Sequence, residues 1–254
     1  MNKNLIKEKL RSGKDVIGLF QNIINPNITE IMGILGFDFV IIDGEHTTFN
    51  PNLAEEHYRA AELRNISTIT RIGQNDQQVI QKFLDAGSQG VLMPLINNKS
   101  DALSVVDSVK YPPVGKRGLA SGRGSAYGIP QSVEEHVASS NQETLVAIQI
   151  ETTEAMEKVE EISSIKEVDV LFFGPSDISS TFGIHGQIDN PKVRDTITNL
   201  SKIAIANGKS CGTIARDINA FKFYKDAGFQ WFCSGVTNML QDGMKNYLAN
   251  IKNP

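Results

Sequence analysis

The sequence predicts an α/β protein, a (β/α)8 barrel, and three observations predict it. Short apolar runs alternate with longer amphipathic stretches. The alternation persists to the C-terminus, and most of the runs are apolar throughout rather than at every second position. Continuous apolar strands suit a parallel sheet covered on both faces. Eight such runs separated by helices within 254 residues match a closed barrel. A doubly wound open sheet shares the alternation and stays open at this level.

The first candidate strand is "DVIGLF" (15–20), followed by "FDFVIID" (37–43), "STITRI" (67–72) and "GVLMPL" (90–95). "TLVAIQIE" (144–151), "VDVLFFG" (168–174), "SCGTIA" (210–215) and "QWFCSGV" (230–236) complete the set. Between the third and fourth, "NDQQVIQKFLDAG" sets Val79, Ile80, Phe83 and Leu84 on one helical face. Asn75 is its expected N-cap and Gly87 its stop. "TEAMEKVEEISSI" gathers Ala155, Val159 and Ile162 on one stripe, and "NPKVRDTITNLSKIAIANG" continues the helical pattern. "DINAFKFYKDAG" repeats the earlier helix down to its terminal Asp-Ala-Gly.

No composition shift divides the chain, so residues 1–254 are expected to form one domain. Its one irregularity is a long excursion at about 96–143, which holds "YPPVGKRGLASGRGSAYGIP". Such excursions serve as lids, functional loops or oligomer contacts. With 40% hydrophobic residues and a net charge of −4, the chain carries no footprint for nucleic acid. The opening "MNKNLIKEKLRSGK" lacks the apolar core of a signal peptide, and no apolar run reaches membrane-spanning length. Cys211 and Cys233 are too few for a disulfide scaffold, and a cytoplasmic location is the simplest reading.

Chemistry in a barrel enzyme sits at the C-terminal ends of the strands. There the second strand ends in Asp43-Gly44-Glu45-His46 and the third in Arg71. The fifth carries Gln149 and Glu151, and the sixth runs into Gly174-Pro175-Ser176-Asp177. Glu151 and Asp177, on consecutive strands, can converge as oxygen ligands on a hard divalent cation. The alternative is that Glu151 caps a helix and Asp177 makes a loop hydrogen bond. Arg71 suits an anionic enolate or carboxylate oxygen, or else an ion pair with Asp43. His46 suits proton transfer near neutral pH. Asp85 lies near a helix end, where an acid opposes the macrodipole and calls for a partner; His46 is one candidate. "SGRGSAYG" lacks the Gly-x-Gly-x-x-Gly spacing and no strand leads into it, which excludes a dinucleotide loop.

Taken together, these residues resemble the HpcH/HpaI aldolase family, metal-dependent class II pyruvate aldolases. The resemblance rests on "FDFVIIDGEHTTFN", "LDAGSQGVLMP", "YPPVGKRG", "VAIQIETTEAMEKVEEI" and "VDVLFFGPSDISSTFG", in the family's order across most of residues 15–185. It implies a (β/α)8 barrel, a homo-oligomer (commonly a hexamer), that cleaves a 4-hydroxy-2-oxo acid into pyruvate and an aldehyde. It implies Mg²⁺ or Mn²⁺, with Co²⁺ a further candidate, on Glu151 and Asp177. By the same resemblance Gln149 lies beside pyruvate and metal, and Arg71 steadies the keto or enolate oxygen. His46 serves acid/base steps with Asp85 as its paired acid, while Asp43 and Glu45 fill the other polar positions. The backbone amides around Ser176 and Asp177 would receive the pyruvate carboxylate, with Gly174 beside them.

None of the eight candidate strands ends in a lysine, so no Schiff base is called for. Two other readings stand beside this one: an acyl-CoA lyase of the citrate-lyase-like branch, and a barrel that binds an oxo acid without catalysis. The chain departs from the family pattern at "RIG", at Thr47-Thr48-Phe49-Asn50 and at "INNKSDA". All three lie near the expected pocket mouth and bear on the aldehyde preference.

Overall fold

The computed structural model describes residues 3–252. Its strands are β1 (Val16–Gln21), β2 (Phe39–Asp43), β3 (Ser67–Arg71), β4 (Gly90–Met93), β5 (Leu145–Ile150), β6 (Val170–Phe173), β7 (Ser210–Ile214) and β8 (Trp231–Gly235). They close in sequence order into one parallel barrel. Pairing of β1 with β8, from Val16 opposite Trp231 to Phe20 opposite Gly235, excludes the open sheet.

Helix α1 (Leu5–Arg11) precedes the barrel, and α2 (Pro26–Leu35), α3 (Pro51–Leu63), α4 (Gln77–Ala86) and α5 (Lys99–Val109) follow the first four strands. Helix α6 (Val133–Glu143) leads into β5, which is followed by α7 (Thr153–Glu157) and α8 (Val159–Ser163). Then α9 (Pro175–Thr181) and α10 (Pro191–Ala206) follow β6, α11 (Ile218–Asp226) follows β7, and α12 (Val236–Lys252) follows β8. The excursion at 96–143 is therefore not loop alone; it holds α5, a 3-10 segment at Arg123–Gly128 and α6.

The strand-to-helix turns are set by short polar side chains. Asn25, Asn50, Asn98 and Asp217 each accept a backbone N–H of the helix they precede, and Pro26, Pro51 and Pro191 open theirs. The expected cap Asn75 is corrected to Asp76, whose carboxylate accepts the Val79 N–H at 3.0 Å. The Asn75 amide instead donates to the Asp101 carbonyl at 3.1 Å. Gly87 ends α4 as expected, at φ 120°, where a Cβ would be strained. The helix expected over 153–165 breaks at Lys158, yet Ala155, Val159 and Ile162 remain buried on one side.

Two apolar layers result, and they fix which residues can reach the site. Inside the barrel, Val16, Phe20, Phe39, Ile41, Ile69 and Ala147 belong to one cluster, closed below by Ile6 and Leu10 of α1. Their strand neighbours, such as Val40, Ile42, Val146 and Ile148, pack outward against the helices. Alternation along each strand then carries the inward register to the C-terminal rim: from Ile41 to Asp43, from Ile69 to Arg71, and from Ala147 to Gln149 and Glu151.

Candidate active site

Asp43 and Arg71 sit opposite each other where β2 pairs with β3. Arg71 Nε donates to Asp43 Oδ1 at 2.9 Å and Nη2 to Oδ2 at 2.7 Å, a bidentate pair. Arg71 thus makes the ion pair that the sequence left as one of its two readings. Burial works against ionisation of Asp43, but the Arg71 hydrogen bonds and charge, with the amides of His46 and Glu45, hold it below the usual carboxylate range. The guanidinium carbon lies 4.8 Å from the centre of the Phe20 ring.

Glu45 Oε2 lies 3.3 Å from Arg71 Nε and 3.5 Å from His46 Nε2. It is buried with no hydrogen bond to satisfy it. Burial first, then the charges of Asp43 and Asp177, raise the Glu45 pKa against the pull of Arg71 and His46. His46 stands at the mouth with 66% of its side chain exposed, so a substrate can reach it. Its loop is tied down by the Thr47 hydroxyl on the Asp43 carbonyl and by Phe49, whose ring packs edge-on to His57 at 4.9 Å. His57 in turn is hydrogen-bonded to Thr29 at 2.8 Å.

Across the barrel, Gln149 and Glu151 extend from β5 and Asp177 follows from the first turn of α9. Gly174 lies between them in the inward register of β6. A Cβ on Gly174 would lie 3.3 Å from Gln149 Nε2, 3.4 Å from Asp177 Oδ2 and 3.5 Å from Glu151 Oε2. Three polar side chains therefore converge on one small space that a Cβ at this position would enter. Gln149 Nε2 donates to Glu151 Oε2, while Gln149 Oε1 is buried without a partner. Burial pushes the Glu151 carboxyl up to about 7, with the Asp177 charge adding to it and the Leu95 amide opposing. Thr152, not Glu151, caps α7, which leaves the Glu151 carboxylate turned to the pocket.

This donor set fits a hard divalent cation. A carboxylate whose charge is disfavoured by burial and by a second carboxylate, beside an unpartnered amide oxygen and a glycine-made space, is what such an ion relieves. Among the described residues no group of three or more His, Cys, Asp or Glu is placed to hold a metal ion by itself, so water and substrate oxygens would complete any shell.

Asp85 is where the chain differs from expectation. It lies on the last turn of α4, and Arg117 Nη2 donates to its Oδ1 at 2.7 Å. Helix α4 runs back from the rim, so Asp85 lies toward the opposite end of the barrel from His46. Within one chain the two are not brought together. Two contributors had no sequence signal. Leu95, at φ 55°, turns its N–H onto Glu151 Oε1 at 2.9 Å; a left-handed, non-glycine residue at a barrel mouth is recognisable only from dihedrals. Phe20 reads as plain core until the barrel register sets it under Arg71.

The description "HpcH/HpaI aldolase/citrate lyase" belongs to the family whose model matches residues 16–241 of the chain. The hydroxypyruvate/pyruvate aldolase of Sagittula stellata is 33% identical over 90% of this chain and 90% of its own length. The 5-keto-4-deoxy-D-glucarate aldolase of Citrobacter koseri is 33% identical over 84% of this chain and 82% of its own. The crystal structure of an HpcH/HpaI aldolase from Desulfitobacterium hafniense superposes with a TM-score of 0.91 at 30% identity, covering 98% of this chain and 97% of that one.

Proposed function

The chain belongs to the HpcH/HpaI aldolase/citrate lyase family, and from that premise we propose that it is a carbon–carbon lyase cleaving a 4-hydroxy-2-oxo acid reversibly into pyruvate and an aldehyde. The observation that carries this reading is the convergence of Gln149, Glu151 and Asp177 around Gly174, with Arg71 and His46 on the β2–β3 side. That the relatives above are named as aldolases supports it.

Glu151 and Asp177 would hold the divalent ion, Mg²⁺ or Mn²⁺ with Co²⁺ as a third candidate. When bound, it supplies Lewis acidity toward the 2-oxo and carboxylate oxygens of the substrate. The remaining work falls to the chain. Gly174 starts α9 without a side-chain cap, so the amides of Ser176 and Asp177 are available to the pyruvate carboxylate. Asp43 takes Nε and Nη2 of Arg71, which leaves Nη1 for the 2-oxo oxygen as negative charge grows there. His46 takes the proton of the C4 hydroxyl. The C3–C4 bond then breaks, the aldehyde departs, and the electron pair stays on the pyruvate fragment until C3 is protonated. Synthesis runs the same steps backward.

One barrel domain acts as a subunit of a homo-oligomer in this proposal, the hexamer being the form the family resemblance favours. Helix α12 supports an oligomer: only Val236 of its residues is buried, and Leu240, Met244, Tyr247, Leu248 and Ile251 form an exposed apolar stripe. Asp85 would then serve the His46 of a second copy across the interface. A cytoplasmic location goes with the two free, buried cysteines, and no helix among the described residues is long and apolar enough to cross a membrane.

Exchange of pyruvate methyl protons into deuterated water with Mn²⁺, Mg²⁺ or Co²⁺ tests the reading. Metal-dependent exchange, lost on chelation, is expected. Full activity after exhaustive chelation would remove the metal from the proposal, and no exchange with any of the three metals would remove the aldolase.

A further inference from the structure

We propose that Arg216 reads a second anionic group on the substrate, so that the enzyme prefers aldehydes carrying a carboxylate. The inference rests on the aldolase reading and adds the acceptor class to it.

The argument begins with register. On β7, Ile214 packs against the cluster inside the barrel and Ala215 against the cluster outside it. The Ala215 N–H still donates to the Cys233 carbonyl at 2.8 Å, so the chain remains paired to β8 beyond the end of β7. Arg216 therefore continues the inward register of Ile214, one step above it, and is exposed at the mouth. Strand β7 lies across the barrel from β3, which carries Arg71. An acceptor joined to pyruvate between them would extend its far end toward the rim where Arg216 stands.

Charge gives the argument its direction. Asp43, Glu45, Glu151 and Asp177 crowd the pocket, and Arg71 is already committed to Asp43 and Glu45. In the segments running from each strand to the next helix, Arg216 is the only lysine or arginine. The arginine ion pairs among the described residues belong to Arg59, Arg64, Arg71, Arg117, Arg123 and Arg194, and Arg216 is in none of them. The nearest carboxylate in sequence, Asp217, is occupied as the cap of α11, accepting the Asn219 and Ala220 amides at 2.9 Å. With a divalent ion on Glu151 and Asp177 and Arg71 paired to Asp43, the carboxylates of the pocket have their counter-charges, and the guanidinium of Arg216, in no ion pair at the mouth, is free to receive a second carboxylate.

The test is an acceptor series with pyruvate and Mn²⁺, comparing glyoxylate with glycolaldehyde and succinic semialdehyde with butanal. The unmodified enzyme should favour the charged member of each pair in kcat/KM. R216Q should cut that preference by about tenfold or more, chiefly through KM, as loss of a charge-assisted contact does, and R216K should keep part of it. Equal preference in R216Q and the unmodified enzyme, or none in either, overturns the assignment of Arg216. Pyruvate methyl exchange in the unmodified enzyme separates the failures: if exchange is present while the charge preference is absent, only Arg216 is misassigned. If exchange is absent with every metal, the aldolase reading falls with it.

Discussion

At the scale of single residues, the Asp43–Arg71 pair decides how the pocket handles charge. Both side chains are largely buried, at 5% and 12% exposed, so removing one partner strands the other's charge. Asp43→Asn should leave the Arg71 fork misaligned and lower pyruvate exchange by roughly 100-fold, the scale of losing one oriented donor. Arg71→Lys should not rescue it, because an ammonium cannot span the same two oxygens. His46→Ala should lower kcat more than it raises KM if the exposed imidazole moves a proton, as proposed, rather than anchoring substrate. Glu151→Ala should abolish metal-dependent turnover, and isothermal titration with Mn²⁺ should then give no binding heat. Each of these residues was legible in the sequence because polar groups at the ends of apolar strands are conspicuous. Arg216 was not, because it follows an unremarkable strand, and only the inner and outer layers reveal which way it faces.

At the scale of elements, the strands were legible and their junctions less so. Apolar runs without alternation gave all eight strands in the order the barrel uses, because burial on both faces leaves no other pattern. The cap of α4 moved from Asn75 to Asp76, and the helix after β5 broke at Lys158, since neighbouring candidates of similar capping strength differ only by tertiary fit. The β6–α9 junction yields a sharper test. Gly174 has ordinary helical-entry dihedrals, φ −84° and ψ 94°, so alanine fits its backbone. Its Cβ would nonetheless fill the space shared by Gln149, Glu151 and Asp177. Gly174→Ala should weaken Mn²⁺ binding by at least about tenfold while moving the metal-free Tm by no more than a few degrees.

The α2–α3 contact gives a pH test of the same kind. Burial depresses His57 to about 4 from an ordinary 6.5. Between those values the unfolded chain binds a proton that the folded chain does not, so stability is full above pH 6.5 and falls as pH drops toward 4. The loss amounts to about 3 kcal/mol at most. Urea titrations at pH 7.5 and 4.5 should show it, and His57→Asn, which cannot titrate there, should flatten that part of the profile. An equally steep fall in the variant would place the effect elsewhere.

At the scale of the whole molecule, the pair His46 and Asp85 is the point where the proposed function calls for a second copy of the chain. The family resemblance joins them, yet in this chain Asp85 is held by Arg117 near the far end of α4 while His46 lies at the mouth. Sequence alone could not separate these outcomes, because a motif records which residues act together and not which subunit supplies each. The bare apolar stripe of α12 gives the independent reason to expect a second copy, and Leu248→Glu should reduce the assembly in analytical ultracentrifugation. The two ideas meet in a complementation experiment. His46→Ala and Asp85→Asn are each expected to be nearly inactive. If every site takes His46 from one subunit and Asp85 from another, co-expressing the two variants creates sites with both native residues. Random mixing should restore up to about one quarter of normal activity, because each half of a shared site is intact in half of the subunits. A site contained within one chain would give no recovery at any mixing ratio. Recovery that disappears when Leu248→Glu is added to both variants would tie the shared site to the α12 face.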